Sequence, residues 1–179
     1  SLLPEQQLSG RQKDLYKALP NGGDPEITDD FYNDVVFYTS ALAMPARRKN
    51  FADQQVLLGK KLFVNVGCAK CHTPDIKTGT HELVSQLSNQ TIHPYSDLLL
   101  HDMGDALADG RPDGEATGNE WRTSPLWGIS YYQTVNKHTY LMHDGRARNI
   151  EEAILWHGGE SGKVLDNFKQ LKKEDRDRV

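Results

Sequence analysis

The chain has 179 residues with a formal net charge of −4 and no long run of lysine and arginine, which argues against a nucleic-acid partner. No apolar stretch approaches the about 20 residues that a membrane-spanning helix needs. Only 37% of the residues are apolar, and the mean hydropathy is −0.67. We therefore expect long polar loops, a bound cofactor or a partner to complete the packing.

Two helices are predicted in the first part of the chain. Thr28 is a suitable N-cap, and acids follow it in the first turn. Apolar residues then recur at helical spacing, namely Phe31, Val35, Tyr38 and Leu42. Pro45 should end this helix after Met44. A second helix is predicted from Ala52 towards Val66, where Gly67 releases the chain.

The segment from residue 73 to about residue 139 has no sustained period and is predicted to be an irregular loop. Asn149 can then cap a helix that places Ile150, Ile154 and His157 on one stripe, and Gly158-Gly159 should end it. A further helix is predicted from its apolar residues Val164, Leu165, Phe168 and Leu171. The tail, residues 172–179, is charged, and we expect the chain to be truncated there.

Both cysteines of the chain lie in one short segment, Cys68-Ala-Lys-Cys71-His72. This segment fits the C-x-x-C-H pattern, in which two thiols attach covalently to the haem vinyl groups and the following histidine ligates the iron. The alternative is a redox dithiol, or half of a zinc site completed by His72 or His81. A predicted helix before the motif and the lack of strand-rich sequence after it favour haem.

The ligand on the opposite side of the iron has several candidates. His157 is predicted to turn its imidazole towards the core, although a histidine on an apolar face is more often a hydrogen-bonded core residue. Met103 lies in a segment that could fold its thioether over the iron. His143 could also ligate, but the turn at Asp144-Gly145 suggests that it only braces that turn. The remaining histidines are interpreted as structural: His81, His93, His101 and His138.

A set of ordered segments accompanies the cysteine motif: Tyr38…Ala43-Met-Pro-Ala-Arg-Arg48, Gly59-Lys-Lys-Leu-Phe63, His93-Pro-Tyr-Ser-Asp-Leu-Leu-Leu-His-Asp-Met-Gly104, Glu120-Trp-Arg-Thr-Ser-Pro-Leu-Trp-Gly128, His143-Asp-Gly-Arg-Ala147 and Trp156-His-Gly-Gly-Glu160. Over roughly residues 30 to 175 the chain resembles the di-haem "thiol oxidoreductase-like" proteins. These are similar to bacterial di-haem cytochrome c peroxidases and to the di-haem enzyme that matures the methylamine dehydrogenase cofactor.

The resemblance implies two c-type haem domains in one protein, one reactive towards peroxide and one for electron transfer. This sequence has a single C-x-x-C-H motif, and its motif order matches the carboxy-terminal, electron-transfer half. In the peroxidase relatives the distal ligand lies fourteen residues beyond the histidine of an aromatic-His-x-Gly motif, and counting from His143 gives His157. The peroxidases have methionine at this place and the cofactor-maturing relative has tyrosine.

Together these observations predict an all-α fold, a cytochrome c-like haem domain with long irregular loops, over residues 28–179, preceded by an N-terminal arm of residues 1–27. One covalent haem c is expected on Cys68 and Cys71, with His72 and His157 on the iron and Met103 as the alternative to His157. Other haem-pocket residues or propionate partners are expected to be Trp121, Arg122, Trp127 and Arg146.

The predicted function is electron transfer within a di-haem cytochrome c peroxidase-like oxidoreductase, with a second haem domain or a partner cytochrome as the partner. A periplasmic location is expected because haem is attached to cysteines outside the cytoplasm. We expect this part of the protein to transfer electrons rather than to reduce peroxide itself. The alternatives are a stand-alone mono-haem electron carrier and a non-haem dithiol or metal module.

Overall fold

A computed structural model of the chain describes residues 9–17, 19–20, 22–44, 46 and 52–179. The chain forms two compact units. The first comprises residues 1–43 and 80–88, and the second comprises residues 44–79 and 89–179. The predicted boundary between residues 27 and 28 stays a prediction. Within the described ranges, no helix is both long and apolar enough to cross a membrane.

The first unit contains helices α1 (Gly10–Lys17) and α2 (Asp29–Ser40) and a 3₁₀ turn at Ser85–Leu87. The predicted cap of α2 is confirmed, since the Thr28 side chain accepts a hydrogen bond from the Phe31 amide. The helix ends at Ser40 and not at Met44 as predicted. The hydroxyls of Thr39 and Ser40 donate to carbonyls of the preceding turn, which is the local competition that commonly accompanies a helix end. Pro45 lies outside the described residues.

The second unit holds the remaining helices: α3 (Gln54–Val66), α4 (Tyr132–Asn136), α5 (Ile150–Leu155), α6 (Gly162–Gln170) and α7 (Lys173–Arg176). Helix α3 begins after its N-cap Asp53 and ends at Gly67, whose φ of 110° is the left-handed geometry predicted for a terminating glycine. The predicted cap of α5 is confirmed, because Asn149 accepts from the Glu152 amide. The helix ends at Leu155, so His157 lies just beyond it.

The prediction of an all-α fold is wrong, because the segment expected to be irregular contains two antiparallel two-stranded sheets. One pairs β1 (Ile76–Lys77) with β2 (Thr91–Ile92). The other pairs β3 (Leu100–Asp102) with β4 (Glu120–Arg122) and sets His101 directly opposite Trp121. The fold is therefore mixed α and β. Strands of two or three residues are too short to leave an alternating pattern in the sequence.

The second unit has a small apolar core. Among the described residues, the buried apolar side chains are Val66, Leu107, Ala147 and Phe168. Many large apolar side chains remain exposed, including Leu98, Leu99 and Leu100 in one run. A core of this size agrees with a composition that calls for further packing from a cofactor or partner.

The charged tail packs onto α3. The Arg178 guanidinium donates to the Gln55 side chain, and the Arg178 carbonyl approaches Gly59 so closely that a Cβ built there would lie 2.0 Å from that oxygen. Gly59 is buried within α3, where glycine is otherwise unfavourable. The glycine thus permits close contact between the helix and the end of the chain.

Candidate functional site

The two cysteines lie in a tight turn that begins where α3 ends. The left-handed Gly67 leads directly into a 3₁₀ turn at Cys68–Lys70, and the His72 amide donates to the Cys68 carbonyl. Both thiols are free and partly buried. Burial raises the pKa of Cys68, and burial together with the nearby negative charges of Asp97 and Glu160 raises the pKa of Cys71. Both groups are therefore neutral thiols, and neither is an activated thiolate.

The His72 imidazole is held in one orientation. Its Nδ1–H donates to the Tyr95 carbonyl over 2.9 Å, and the ring of Phe63 meets it edge-on at 6.2 Å between centroids. Tyr95 has a φ of 54°, a conformation that a bulky residue rarely adopts. The segment after Tyr95 is hydrogen-bonded to the end of the cysteine turn, because the Ser96 N–H donates to the Thr73 carbonyl.

The protonation of His72 suits metal binding. Burial is the main cause that lowers the pKa of His72, so the imidazole is neutral at pH 7. With the proton on Nδ1, the lone pair is on Nε2. Within the described part of the chain, no hydrogen bond engages that atom. The ring therefore presents the atom that ligates haem iron in histidine-bound cytochromes.

His157 faces His72. The centroids of the two rings lie 6.3 Å apart with a tilt of 46° between their planes. His157 Nδ1–H donates to the Ala153 carbonyl over 2.8 Å, which leaves Nε2 as the nitrogen available to a ligand. Each ring is thus oriented by a backbone carbonyl through Nδ1, which is the usual way in which proteins fix a ligating histidine.

The spacing of the two rings fits a shared metal ion. A metal–imidazole bond is about 2 Å long, and a ring centre lies about 1 Å further from the metal, so two opposed imidazoles on one ion have centroids about 6 Å apart. The observed 6.3 Å agrees with that value. Together with thiols at C-x-x-C-H spacing beside His72, these residues fit a covalently attached haem.

The other predicted ligands have different surroundings. Met103 makes two backbone contacts: its amide donates to the Asn119 carbonyl, and its carbonyl oxygen lies against Gly158. His143 stacks on Trp121 with centroids 3.5 Å apart and planes 11° from parallel. The Trp121 indole N–H donates to the Leu107 carbonyl.

The predicted pocket residues are divided between partly buried and exposed positions. Arg122 is exposed and Trp127 is half-buried. Arg146 pairs with Asp144 and lies over the Trp156 ring at 4.9 Å from its centroid. Arg146 thus has partners within the chain, and the haem role of the pocket residues stays a prediction.

Three of the histidines that were interpreted as structural make local hydrogen bonds. The Nδ1 atom of His81 accepts hydrogen bonds from two nearby amides, and that of His138 accepts from the Tyr140 amide. His93 pairs with Asp75 over 2.6 Å in an exposed position. None of these rings contacts His72 or His157 among the described contacts.

His101 is the residue whose importance sequence reasoning missed. Its Nε2–H donates to Asp97 over 2.9 Å and its Nδ1–H donates to Glu160 over 3.0 Å. The Glu160 hydrogen bond is the largest cause that raises the pKa of His101. Asp97 lies four residues before His101 in a segment predicted to be irregular, and Glu160 is 59 residues away in the sequence. That partner could be found only from the fold.

Comparison with known families agrees with the geometry of this site. The family described as "Di-haem oxidoreductase, putative peroxidase" matches residues 12–179. No curated protein and no solved structure matches the chain. The family description implies two haems, whereas this chain contains one C-x-x-C-H motif. The match covers nearly the whole chain, including every residue of the candidate site, and on this ground the chain belongs to the di-haem oxidoreductase family.

Proposed function

We propose that this chain is an electron-transfer domain with one covalent haem c, acting within a di-haem cytochrome c peroxidase-like oxidoreductase. Cys68 and Cys71 would form the thioether bonds, and His72 and His157 would ligate the iron. The family match supports haem and an oxidoreductase role. The single observation that carries the finer assignment is the pair of imidazole rings whose centroids lie 6.3 Å apart, each hydrogen-bonded through Nδ1 to a backbone carbonyl.

Haem bound here would supply a one-electron couple between ferric and ferrous iron. The chain's own residues prepare that site in three ways. Neutral His72 offers Nε2 without first losing a proton, and His157 has its Nδ1 engaged with a backbone carbonyl, which leaves Nε2 as its available nitrogen. The carbonyls of Tyr95 and Ala153 would hold the two rings in fixed orientations through hydrogen bonds to Nδ1. With two imidazoles on the iron, no coordination position is left for a substrate such as peroxide.

Ligation by two imidazoles would affect the reduction potential of the haem and the kind of partner that it serves. A thioether ligand such as Met103 raises the reduction potential of a haem, and an imidazole in its place leaves the potential lower. A low-potential, coordinatively saturated centre relays electrons and does not bind substrate. The partner would therefore be a second haem domain or a partner cytochrome, and the location would be periplasmic, where haem is attached to cysteines.

A stand-alone mono-haem carrier is the second candidate, favoured by the presence of only one C-x-x-C-H motif. It uses the same residues and differs only in the partner. The two candidates differ in the haem content of the native protein. Two haems per protein in material purified from the source would support the domain, and one haem would support the carrier.

A non-haem metal module is the third candidate. Among the described residues, Cys71, Asp97 and His101 are the group whose ligand atoms lie close enough for one ion, within 4.8 Å of one another. However, both nitrogens of His101 already donate to carboxylates, so neither has a lone pair to offer a metal. Both thiol pKa values are raised, whereas metal binding and dithiol chemistry need thiolates. Both observations are compatible with a covalent haem on Cys68 and Cys71, because that site takes no ligand from His101 and requires no free thiolate in the finished protein.

The test is to produce the chain together with haem-maturation machinery and to measure its mass and spectrum. We expect the mass of the polypeptide plus one haem, a Soret band, and a low-spin ferric spectrum that changes on reduction. The matched control is the double variant Cys68→Ser with Cys71→Ser, which should have the bare polypeptide mass. A colourless wild-type protein with that same bare mass would refute the proposal.

A further inference from the structure

His101 connects the two segments that contain His72 and His157. On one side, it donates to Asp97, whose own amide donates to the Cys71 carbonyl over 2.8 Å. On the other side, it donates to Glu160, which lies three residues beyond His157. The same Nδ1 atom lies 3.8 Å from Cys71 Sγ. A single imidazole thus joins the cysteine turn to the segment after α5.

The Glu160 side of this link is reinforced by the backbone. The second carboxylate oxygen of Glu160 accepts from the Asp102 amide over 3.1 Å, so the side chain contacts both His101 and the end of β3. Gly158 and Gly159 pack directly against the end of β3 and the residues that follow it. A Cβ built at Gly158 would lie 2.9 Å from the Met103 carbonyl oxygen, and one at Gly159 would lie 2.2 Å from that of Asp102. No other residue type allows this approach.

The two ion pairs are partly shielded from water. The side chains of His101 and Asp97 are 17% and 15% exposed, while that of Glu160 is 57% exposed. Donating from both nitrogens requires the imidazolium form. Two carboxylates stabilise that form, and the direction of the pKa shift of His101 agrees. Charge-assisted hydrogen bonds of this kind are stronger and more directional than neutral ones.

We propose that His101 is a positioning residue that holds His157 at ligating distance from the iron bound by His72. This inference rests on the proposed ligation of the iron by His72 and His157. It also gives a role to the two glycines and the glutamate of the segment Trp156-His-Gly-Gly-Glu160. The glycines let the segment approach β3, and Glu160 fastens it to His101. The cysteine turn is fastened to the same imidazole through Asp97. His101 itself touches neither iron nor substrate.

The experiment compares ferric spin state in haem-loaded variants at one pH. His101→Phe keeps a ring but removes both N–H donors, and Glu160→Ala removes one acceptor at a side chain that is more than half exposed. Asp75→Ala is the matched control, because it breaks a histidine–carboxylate pair of similar length that is exposed. Covalent haem content is measured in each variant, and added imidazole tests rescue.

We expect His101→Phe and Glu160→Ala to keep the covalent haem but to shift the equilibrium from six-coordinate low-spin towards five-coordinate high-spin iron by about tenfold or more. The double variant should shift the equilibrium by less than the sum of the two single effects, because both single variants remove the contact between His101 and Glu160. Glu160→Gln, which keeps a carbonyl acceptor, should recover part of the effect. Added imidazole should restore the low-spin spectrum.

The inference is overturned if Glu160→Ala carries covalent haem and stays as fully low-spin as Asp75→Ala. It is also overturned if Asp75→Ala shows the same shift as Glu160→Ala. If His101→Phe does not fold, Glu160→Ala and Glu160→Gln decide the question. A wild-type chain without covalent haem, or with haem but without low-spin iron, would instead refute the proposed function. The wild-type spectrum thus separates the two failures.

Discussion

Replacing Gly159 by alanine should destabilise the chain at the point where the His157 segment meets β3. Gly159 has a φ of 51°, and a Cβ there would lie 2.2 Å from the Asp102 carbonyl oxygen and 2.7 Å from the Gly104 nitrogen. An ordinary contact begins near 3.4 Å, so the two backbones would have to separate by roughly 1 Å. The left-handed conformation alone costs alanine about 1–2 kcal/mol.

The separation would also weaken the hydrogen bond from the Asp102 amide to Glu160, and a lost bond to a charged group costs about 1.5–3 kcal/mol. We therefore expect a loss of about 3 kcal/mol in the free energy of unfolding. For a protein of this size that corresponds to a melting temperature lower by about 6–12 °C. Circular dichroism during thermal unfolding measures the change, and the ferric spectrum should also gain high-spin character.

The control for this prediction is Gly162→Ala. Gly162 begins α6 with a helical φ of −53°, and a Cβ there meets nothing within 4 Å. Alanine is favoured over glycine at such a helical position, so the variant should be unchanged or more stable by up to about 1 kcal/mol. If Gly159→Ala and Gly162→Ala unfold at the same temperature, the close packing described here is wrong.

Three further predictions test the ligand, the tail and the charge of His101. His157→Ala should convert a low-spin ferric spectrum to high-spin while Met103→Ala leaves it low-spin, and the reverse pattern would move the sixth ligand to Met103. Gly59→Ala should lower the free energy of unfolding in urea by about 2 kcal/mol, because its Cβ would meet the Arg178 carbonyl; unchanged stability would mean that the tail does not pack on α3. The stability added by His101 relative to His101→Phe should be complete below the unfolded histidine pKa of about 6.5 and should vanish as the pH rises through the raised folded pKa. Urea unfolding of both proteins over a pH series checks this, and a difference that grows with pH would contradict it.

The elements that the sequence predicts well are those whose signals are local. Asn149 caps α5 through an amide three residues ahead, and Gly67 ends α3 through its own backbone conformation. The sheets could not be predicted, because partners such as Leu100 and Arg122 are far apart in the chain and each strand has only two or three residues. Their pairing depends on how the intervening loop folds, which no short window of sequence contains.

The candidate site divides in the same way. The cysteine motif is contiguous, so its chemistry can be read directly from the sequence. His157 was predicted to lie on a helical stripe, yet α5 ends before it and the Ala153 carbonyl orients the ring. The four-residue spacing of a helical turn still brings the His157 Nδ1–H onto the Ala153 carbonyl. His101 joins Asp97 and Glu160 from two different segments, and no periodicity connects them.

The small core of the second unit has a consequence for how the two imidazoles are kept in place. Rigid apolar packing usually fixes a site, but few side chains here are fully buried. The separation of His72 from His157 therefore depends on polar and backbone contacts: the carbonyls that hold each Nδ1, the glycine approach to β3, and the His101 link. Truncating a core residue such as Phe168 should mainly cost stability, whereas weakening these contacts should change iron ligation in a chain that is still folded. The glycine approach and the His101 link support stability as well as the proposed ligation, so weakening them should change both, whereas the apolar core supports stability alone.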